Sequence, residues 1–282
     1  MKMLPLIQNM LEQGVVQFHT STAKRVINPN KIEVFQVPIN VLAKYQKQMS
    51  RAPWKPCPGR KLGFVVTQDE ALLGIIALTS PVIRMTVRDS FLFPCAPFSF
   101  DYGRALRSYM DLSVCVAAQP IGWHWNIGKL LAMIAPTLKT EVESAYPSDE
   151  FKGVITTGFW GKSSQYNRIY KFLGYTEGHG HEHISDADYR DMMRVLKACH
   201  ALPSCSWDAG SNPKMRRIAA YKKLTGDRFT TLFHGHRRGV YYSPTVSVPP
   251  IQTWYERWGL PRYERTKNIQ APYQNGTEKI AA

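Results

Sequence analysis

The chain has 282 residues, 44% of them apolar, enough for one large domain or a domain with an appendage, and this excludes wholesale disorder. Lys and Arg number 36 against 21 Asp and Glu, a net charge of +15 at a pI near 9.6, which points to a polyanionic partner, nucleic acid ahead of an anionic membrane. The five cysteines, Cys57, Cys95, Cys115, Cys199 and Cys205, are odd in number and form no CxxC pair, which fits a reducing cytoplasm and excludes a disulfide framework or a zinc ribbon.

The first residues carry polar side chains too early for a secretory apolar segment. Leu4–Glu12 reads as a short helix, and residues 1–30 as an N-terminal arm. Lys31–Ile39 alternates as a strand does, and Asn40–Met49 opens on a good helix cap. Pro53, Pro56, Pro58 and Gly59 mark a loop. Leu62–Ser80 is two β-rich runs joined at Gln68–Ala71, a hairpin. Its apolar run Leu72–Leu78, broken by Gly74, is far too short to span a bilayer.

Pro81–Phe100 reads as irregular. Ser108–Ala118 is apolar almost throughout, the pattern of a central strand buried on both faces. Gln119–Ala135 turns from it into a helix whose Ile127, Leu130, Leu131 and Ile134 form one apolar stripe. Phe151–Trp160 is the next strand, Tyr166–Leu173 a helix stopped by Gly174, and Tyr175–Ile184 a last strand. Strands and helices in this order predict an α/β fold, a mixed sheet with helices packed on it, over residues 31–200. From about Ala201 the chain becomes rich in Arg, Lys, Trp and Pro, and residues 201–282 read as a basic extension.

The element order resembles the Gcn5-related N-acetyltransferases, in which a hairpin precedes a central strand and a phosphate-binding helix. A further strand there leads to a helix of the form N-x-x-x-x-Y-x-x-x-G-F. Asn167-Arg-Ile-Tyr170-Lys-Phe-Leu173-Gly174-Tyr175 is a compressed version of that motif. A more specific resemblance covers roughly Leu72–Thr266. The runs YMDLSVCV, NIGKLLA, TTGFWGKSSQYNR and LGYTEGHGHEHI are similar to the family that includes the first protein of the Druantia anti-phage system and many phage and mobile-element proteins. A weaker likeness is to the phage Mu Mom protein, which modifies adenine in DNA. These resemblances imply a CoA-like acyl donor and transfer of an acyl or related group to a nucleobase amine in DNA, in the cytoplasm of a bacterial host. The rival is a DNA-binding defence or counter-defence component that keeps the scaffold without catalysis, and RNA or protein is a third target.

The donor site is expected at the turn Gln119–Gly128. Two registers match the acetyltransferase diphosphate loop in part, one through Gln119 and Gly122, the other through Asn126 and Gly128. Such residues let a backbone approach a diphosphate at a helix N-terminus; the plainer reading is an ordinary strand–helix turn. Lys129 adds a charge for phosphate or is simply solvated. Asn167, with Ser163, Ser164 and Tyr166, offers polar groups for a pantetheine amide or a base edge, or caps a helix. Tyr170 stands where the family's frequent general acid stands, or packs its helix on the sheet. Asp111, a carboxylate in an apolar strand, is the candidate base, unless it pairs with Arg104 or Arg107.

His179, His181 and His183 share one face of a strand, but no second ligand cluster accompanies them and no metal is assigned. The nucleic-acid grip is expected in the extension. Arg216, Arg217, Lys222, Lys223, Arg237, Arg238 and Arg262 supply phosphate contacts, and Trp254 and Trp258 supply rings for stacking. The alternative is a tail whose rings dock on the core while its charges stay wet.

Overall fold

The computed structural model describes residues 26–50, 54, 59–69, 71–97, 99–158, 161–179, 186–203, 213–226 and 237–269. Within them lie β1 (Ile32–Val37), β2 (Lys61–Gln68), β3 (Ala71–Thr79), β4 (Tyr109–Ala117), β5 (Gly153–Gly158), β6 (Lys171–His179) and β7 (Arg237–Pro244). They form one seven-stranded sheet in the order β1-β2-β3-β4-β5-β7-β6. Only β4 and β5 pair in parallel, so the sheet is mixed and the fold is α/β.

The hairpin β2–β3 turns at Asp69, whose φ of 44° lies in the left-handed region that Asp tolerates in tight turns. Both strands are almost wholly buried because apolar clusters lie on both of their faces. One cluster sits under the helix α1 (Ile39–Met49), through Leu42 and Tyr45. Gly74 marks a close approach on the other face. A Cβ there would come within 2.6 Å of Leu131 Cδ1 and 2.7 Å of Val116 O.

β4 departs from the expectation of burial on both faces. Met110, Leu112 and Val114 are buried, whereas Tyr109, Asp111 and Ser113 are half-exposed. The register against β3 slips between Ala77 and Leu78, leaving Ser113 as the extra residue of a bulge. The slip changes the phase of alternation. Met110 and Leu112 face the larger core, while Val114 faces the cluster under α1.

Two stretches take other forms than their local sequence predicts. Part of the segment read as irregular forms α2 (Thr86–Leu92), which packs on β6. The helix expected across Gln119–Ala135 is split into α3 (Ile121–Trp125) and α4 (Ile127–Ile134) by Asn126, at φ 54°. The apolar stripe of α4 is fully buried as its spacing requires, and each such Leu or Ile contributes about 1.5–3 kcal/mol. α5 (Lys139–Ala145) then leads to β5.

The helix expected at Tyr166–Leu173 is replaced by turns up to Ile169, and β6 already begins at Lys171. Gly174 is therefore a strand residue, not a helix stop. It sits beside a register slip at φ 140°, where a side chain would be strained and would meet Val87.

α6 (Asp186–Ala198) and α7 (Pro213–Thr225) pack on each other through Met192, Leu196 and Ile218. The region beyond residue 201 is not uniformly an outlying extension. β7 inserts between β5 and β6 and completes the sheet. After it, α8 (Ile251–Trp254), a π-helical turn (Tyr255–Gly259) and α9 (Leu260–Thr266) lie against α3 and α4. Trp125 stacks on Tyr263 at 4.3 Å between ring centroids. Among the described residues no helix is long and apolar enough to cross a membrane.

Candidate functional site

β4 and β5 pair over only three positions, Tyr109–Gly153, Met110–Val154 and Asp111–Ile155. Beyond Asp111 the ladder ends and side chains take over. Thr156 Oγ1 donates to Leu112 O at 2.9 Å, and Gln165 Nε2 donates to Cys115 O at 3.1 Å. The same amide lies 2.8 Å from Cys115 Sγ. Burial pushes the Cys115 thiol up to about 12, against the opposing hydrogen bond from Gln165.

Asp111 is the last paired residue before the strands part. Its neighbours Met110 and Leu112 point into the main core, so alternation turns its carboxylate to the opposite face. Burial there raises it from the usual carboxylate range to about 7, while the positive charges of Arg88 and Arg238 oppose the rise. Arg88, fully buried on α2, donates Nε to Asp89 Oδ1 at 2.7 Å and its two terminal nitrogens to Val82 O and Ile83 O. Arg238 is lowered by burial and held up by Asp111, which places its charge near that carboxylate. The salt bridge considered for Asp111 with Arg104 or Arg107 does not form; Arg107 pairs with Asp149 instead. Arg88 is a residue sequence reasoning missed, because it lies in the stretch read as irregular.

Tyr170 lies apart from Asp111. Its hydroxyl is buried under α4 and donates to Ala132 O at 2.8 Å. The helical donor for that carbonyl would be residue 136, which is proline and has no N–H. Tyr170 thus fills a gap in the helix ladder, and the expected acid and base face opposite sides of the sheet.

The turn Gln119–Gly128 is more tightly packed than an open loop. Gln119 Oε1 accepts from Trp123 N at 3.1 Å, and Gly122 N donates to Ala118 O at 2.6 Å. Asn126 O accepts the indole N–H of Trp254. Gly128 faces Gln165, whose amide carbon a Cβ would meet at 3.3 Å. Lys129, expected as a phosphate ligand, is buried and ties down the following turn: Nζ donates to the carbonyls of Ser164, Gln165 and Asn167 at 2.9, 3.2 and 2.8 Å. Burial, with Arg168 and Arg257 nearby, lowers its ammonium to about 8. Asn167 is exposed, and its side-chain oxygen accepts from Tyr241 at 3.4 Å.

The residues expected to grip nucleic acid divide. Lys223 and Arg237 are exposed, and Lys222 is half-buried. Arg217 donates to Tyr189 Oη at 2.9 Å. The side chain of Arg216 lies outside the described residues, as do His181 and His183. Trp254 is fully buried and has no face for a base, because α8 packs it against α4. Trp258 is half-buried beneath two cations, Lys129 at 5.2 Å and Arg257 at 4.9 Å from the ring centroid. Arg262 lies over Trp123 at 4.7 Å and donates to its carbonyl.

These features define an α/β protein with a half-buried carboxylate where two parallel strands part, and a basic C-terminal region partly built into its sheet. The chain belongs to the DruA family: the family described as "Druantia protein DruA" matches residues 17–248. It is similar to the Druantia protein DruA of Escherichia coli (strain UMEA 4076-1), with 29% identity over 213 residues, 66% of this chain and 51% of that protein. The chain thus spans about half the length of this curated relative.

Proposed function

We propose that this protein is a Druantia-type anti-phage defence component that acts on nucleic acid. In this reading the site where β4 and β5 part transfers an acyl or related group from a CoA-like donor to a nucleobase amine. The observation that carries the proposal is Asp111, half-buried where β4 and β5 part and raised to about 7. A base poised near neutral pH is both available and strong enough to take a proton from an attacking amine. The nitrogen lone pair attacks the acyl carbon, the carbon–sulfur bond breaks, and the amine proton goes to Asp111. The leaving thiolate is a modest base, with a pKa of about 8.5 for an ordinary thiol, so departure does not require Tyr170 as an acid. The hairpin, the central strand, α4 and the parallel β5 support an acetyltransferase-like scaffold. The net charge of +15 supports a polyanionic target.

A second reading, a non-catalytic nucleic-acid-binding component on the same scaffold, has its own support. Lys129 is committed to three carbonyls, and Trp254 and Gln165 pack against the turn expected to hold a diphosphate. Mass spectrometry of nucleosides from DNA co-expressed with the protein, and with its Asp111→Asn variant, separates the two. The transfer reading expects a modified nucleoside with the parent only, and calorimetric binding of CoA or acetyl-CoA. No modified nucleoside and no heat with either compound leaves the binding reading.

A further inference from the structure

Six aromatic residues lie outside all three apolar cores, on and around α2. Phe100 and Tyr102 meet at 5.0 Å between ring centroids, and they touch Phe93 at 5.1 and 6.0 Å. Phe93 meets Tyr109 at 6.2 Å, Tyr109 meets Tyr242 at 6.2 Å, and Tyr242 meets Phe91 at 5.5 Å. A cation closes each end of this row. The Arg84 guanidinium lies 4.4 Å over Tyr102, and the Lys171 ammonium 4.3 Å over Phe91.

None of the six rings is buried, and Phe91 is 36% exposed. The hydroxyls of Tyr102, Tyr109 and Tyr242 make no hydrogen bond among the described residues. The row also runs past the candidate base. Tyr109 is two residues before Asp111 on the same face of β4, and Tyr242 stands one strand beyond Asp111's partner Ile155. The neighbouring acids are committed: Asp89 to Arg88, Glu150, whose charge reaches Tyr109, to Lys152, and Asp101 as the cap accepting from Arg104 N. Arg84 and Arg104, both exposed, leave this side of the molecule positive.

We propose that this ring row is the seat of single-stranded nucleic acid and presents an unpaired base to Asp111. The proposal deepens the function above and rests on its nucleic-acid reading. Flat rings left partly in water give a stacking platform for any base, and cations at the two ends meet the phosphates that flank a stacked run. A duplex hides its base faces within its own stack, so only an unpaired or flipped base uses such rings. A docked protein segment would gain from the rings but would need acidic side chains to answer Arg84 and Lys171.

The test is the affinity of the full chain for a fluorescein-labelled oligothymidylate and for a duplex, against salt and without any acyl donor. Phe91→Ala and Tyr102→Ala are expected to weaken strand binding by about 5- to 100-fold and duplex binding far less, whereas Tyr242→Phe, which keeps the ring, binds as the parent does. Arg84→Ala and Lys171→Ala change exposed side chains and leave the fold intact. Each is expected to flatten the salt dependence by about 0.7 of a unit. Parental strand affinity and slope in Phe91→Ala, Tyr102→Ala, Arg84→Ala and Lys171→Ala overturn the proposal. So do equal losses on strand and duplex. Nucleoside mass spectrometry keeps the two readings apart. Lost strand binding with no modified nucleoside in any sample sinks the transfer and leaves the seat standing. Unchanged binding alongside a modified nucleoside does the reverse.

Discussion

The indole N–H of Trp254 donates to the carbonyl of Asn126 at 3.2 Å from a ring with no exposed surface. Asn126 is the left-handed break between α3 and α4, so the bond ties the C-terminal helices to the point where the expected long helix is interrupted. Trp254→Ala is expected to destabilise the fold by about 3–5 kcal/mol through the cavity and the lost donor. Trp258→Ala, at a half-buried ring, is expected to cost much less. Urea unfolding of the two variants checks the difference; equal midpoints would return Trp254 to the surface.

Tyr170 makes a second test of role. Its hydroxyl stands in for the N–H that Pro136 lacks, on a carbonyl with no other helical donor. Tyr170→Phe keeps the ring and orphans Ala132 O, at a cost of about 1–3 kcal/mol in stability. The pH profile of any transfer activity is expected to be unchanged. A rate loss with parental stability would restore Tyr170 as an acid.

Asp111 predicts a pH dependence. Its folded pKa, about 7, lies above its ordinary 3.8 because burial disfavours the charge. The folded state therefore holds the proton more tightly than the unfolded chain. The stability this contributes is full below the ordinary value and is lost as pH rises through about 7. Asp111→Asn removes that loss. Its melting temperature relative to the parent is expected to climb between about pH 4 and about pH 7 and to level off above, and thermal scans across that range read it directly. A constant offset would mean that the carboxylate is not held in a desolvated site.

Cys115 is expected to be the slowest of the described thiols to react. Burial raises it to about 12, whereas Cys95 and Cys199 are exposed. Iodoacetamide labelling followed by peptide mass spectrometry ranks them. Gln165→Ala removes the amide that spans the parting strands and is expected to speed labelling at Cys115. The lost hydrogen bond by itself would slow labelling, because it holds the thiol down, so slower labelling in this variant would show that Gln165 does not close the gap.

Local pattern was enough where one physical signal dominated. The alternation of β1, the turn at Asp69 and the β-branched runs beside it make a hairpin wherever the chain goes next. The stripe of Ile127, Leu130, Leu131 and Ile134 likewise requires a helix with one buried face. A carboxylate in the apolar strand around Asp111 also marks a candidate site from sequence alone, and the runs shared with the DruA family point to that family.

Tertiary structure decided what local pattern leaves open. Tyr166–Leu173 has helical spacing, but pairing of β6 with β7 draws Lys171 onward into a strand. β7 comes from a stretch whose composition reads as a basic tail, and nothing within a window of neighbours encodes its insertion between β5 and β6. The same long-range pairing brings Arg238 to Asp111 and Tyr242 to Tyr109. The irregular-looking stretch after Pro81 supplies Arg88 and three of the six rings, Phe91, Phe93 and Phe100, because part of it folds as α2 and packs on β6. Whether Trp254 stacks on a base or fills a core depended on which surface α8 meets. That is a matter of burial against α4, and composition cannot express it.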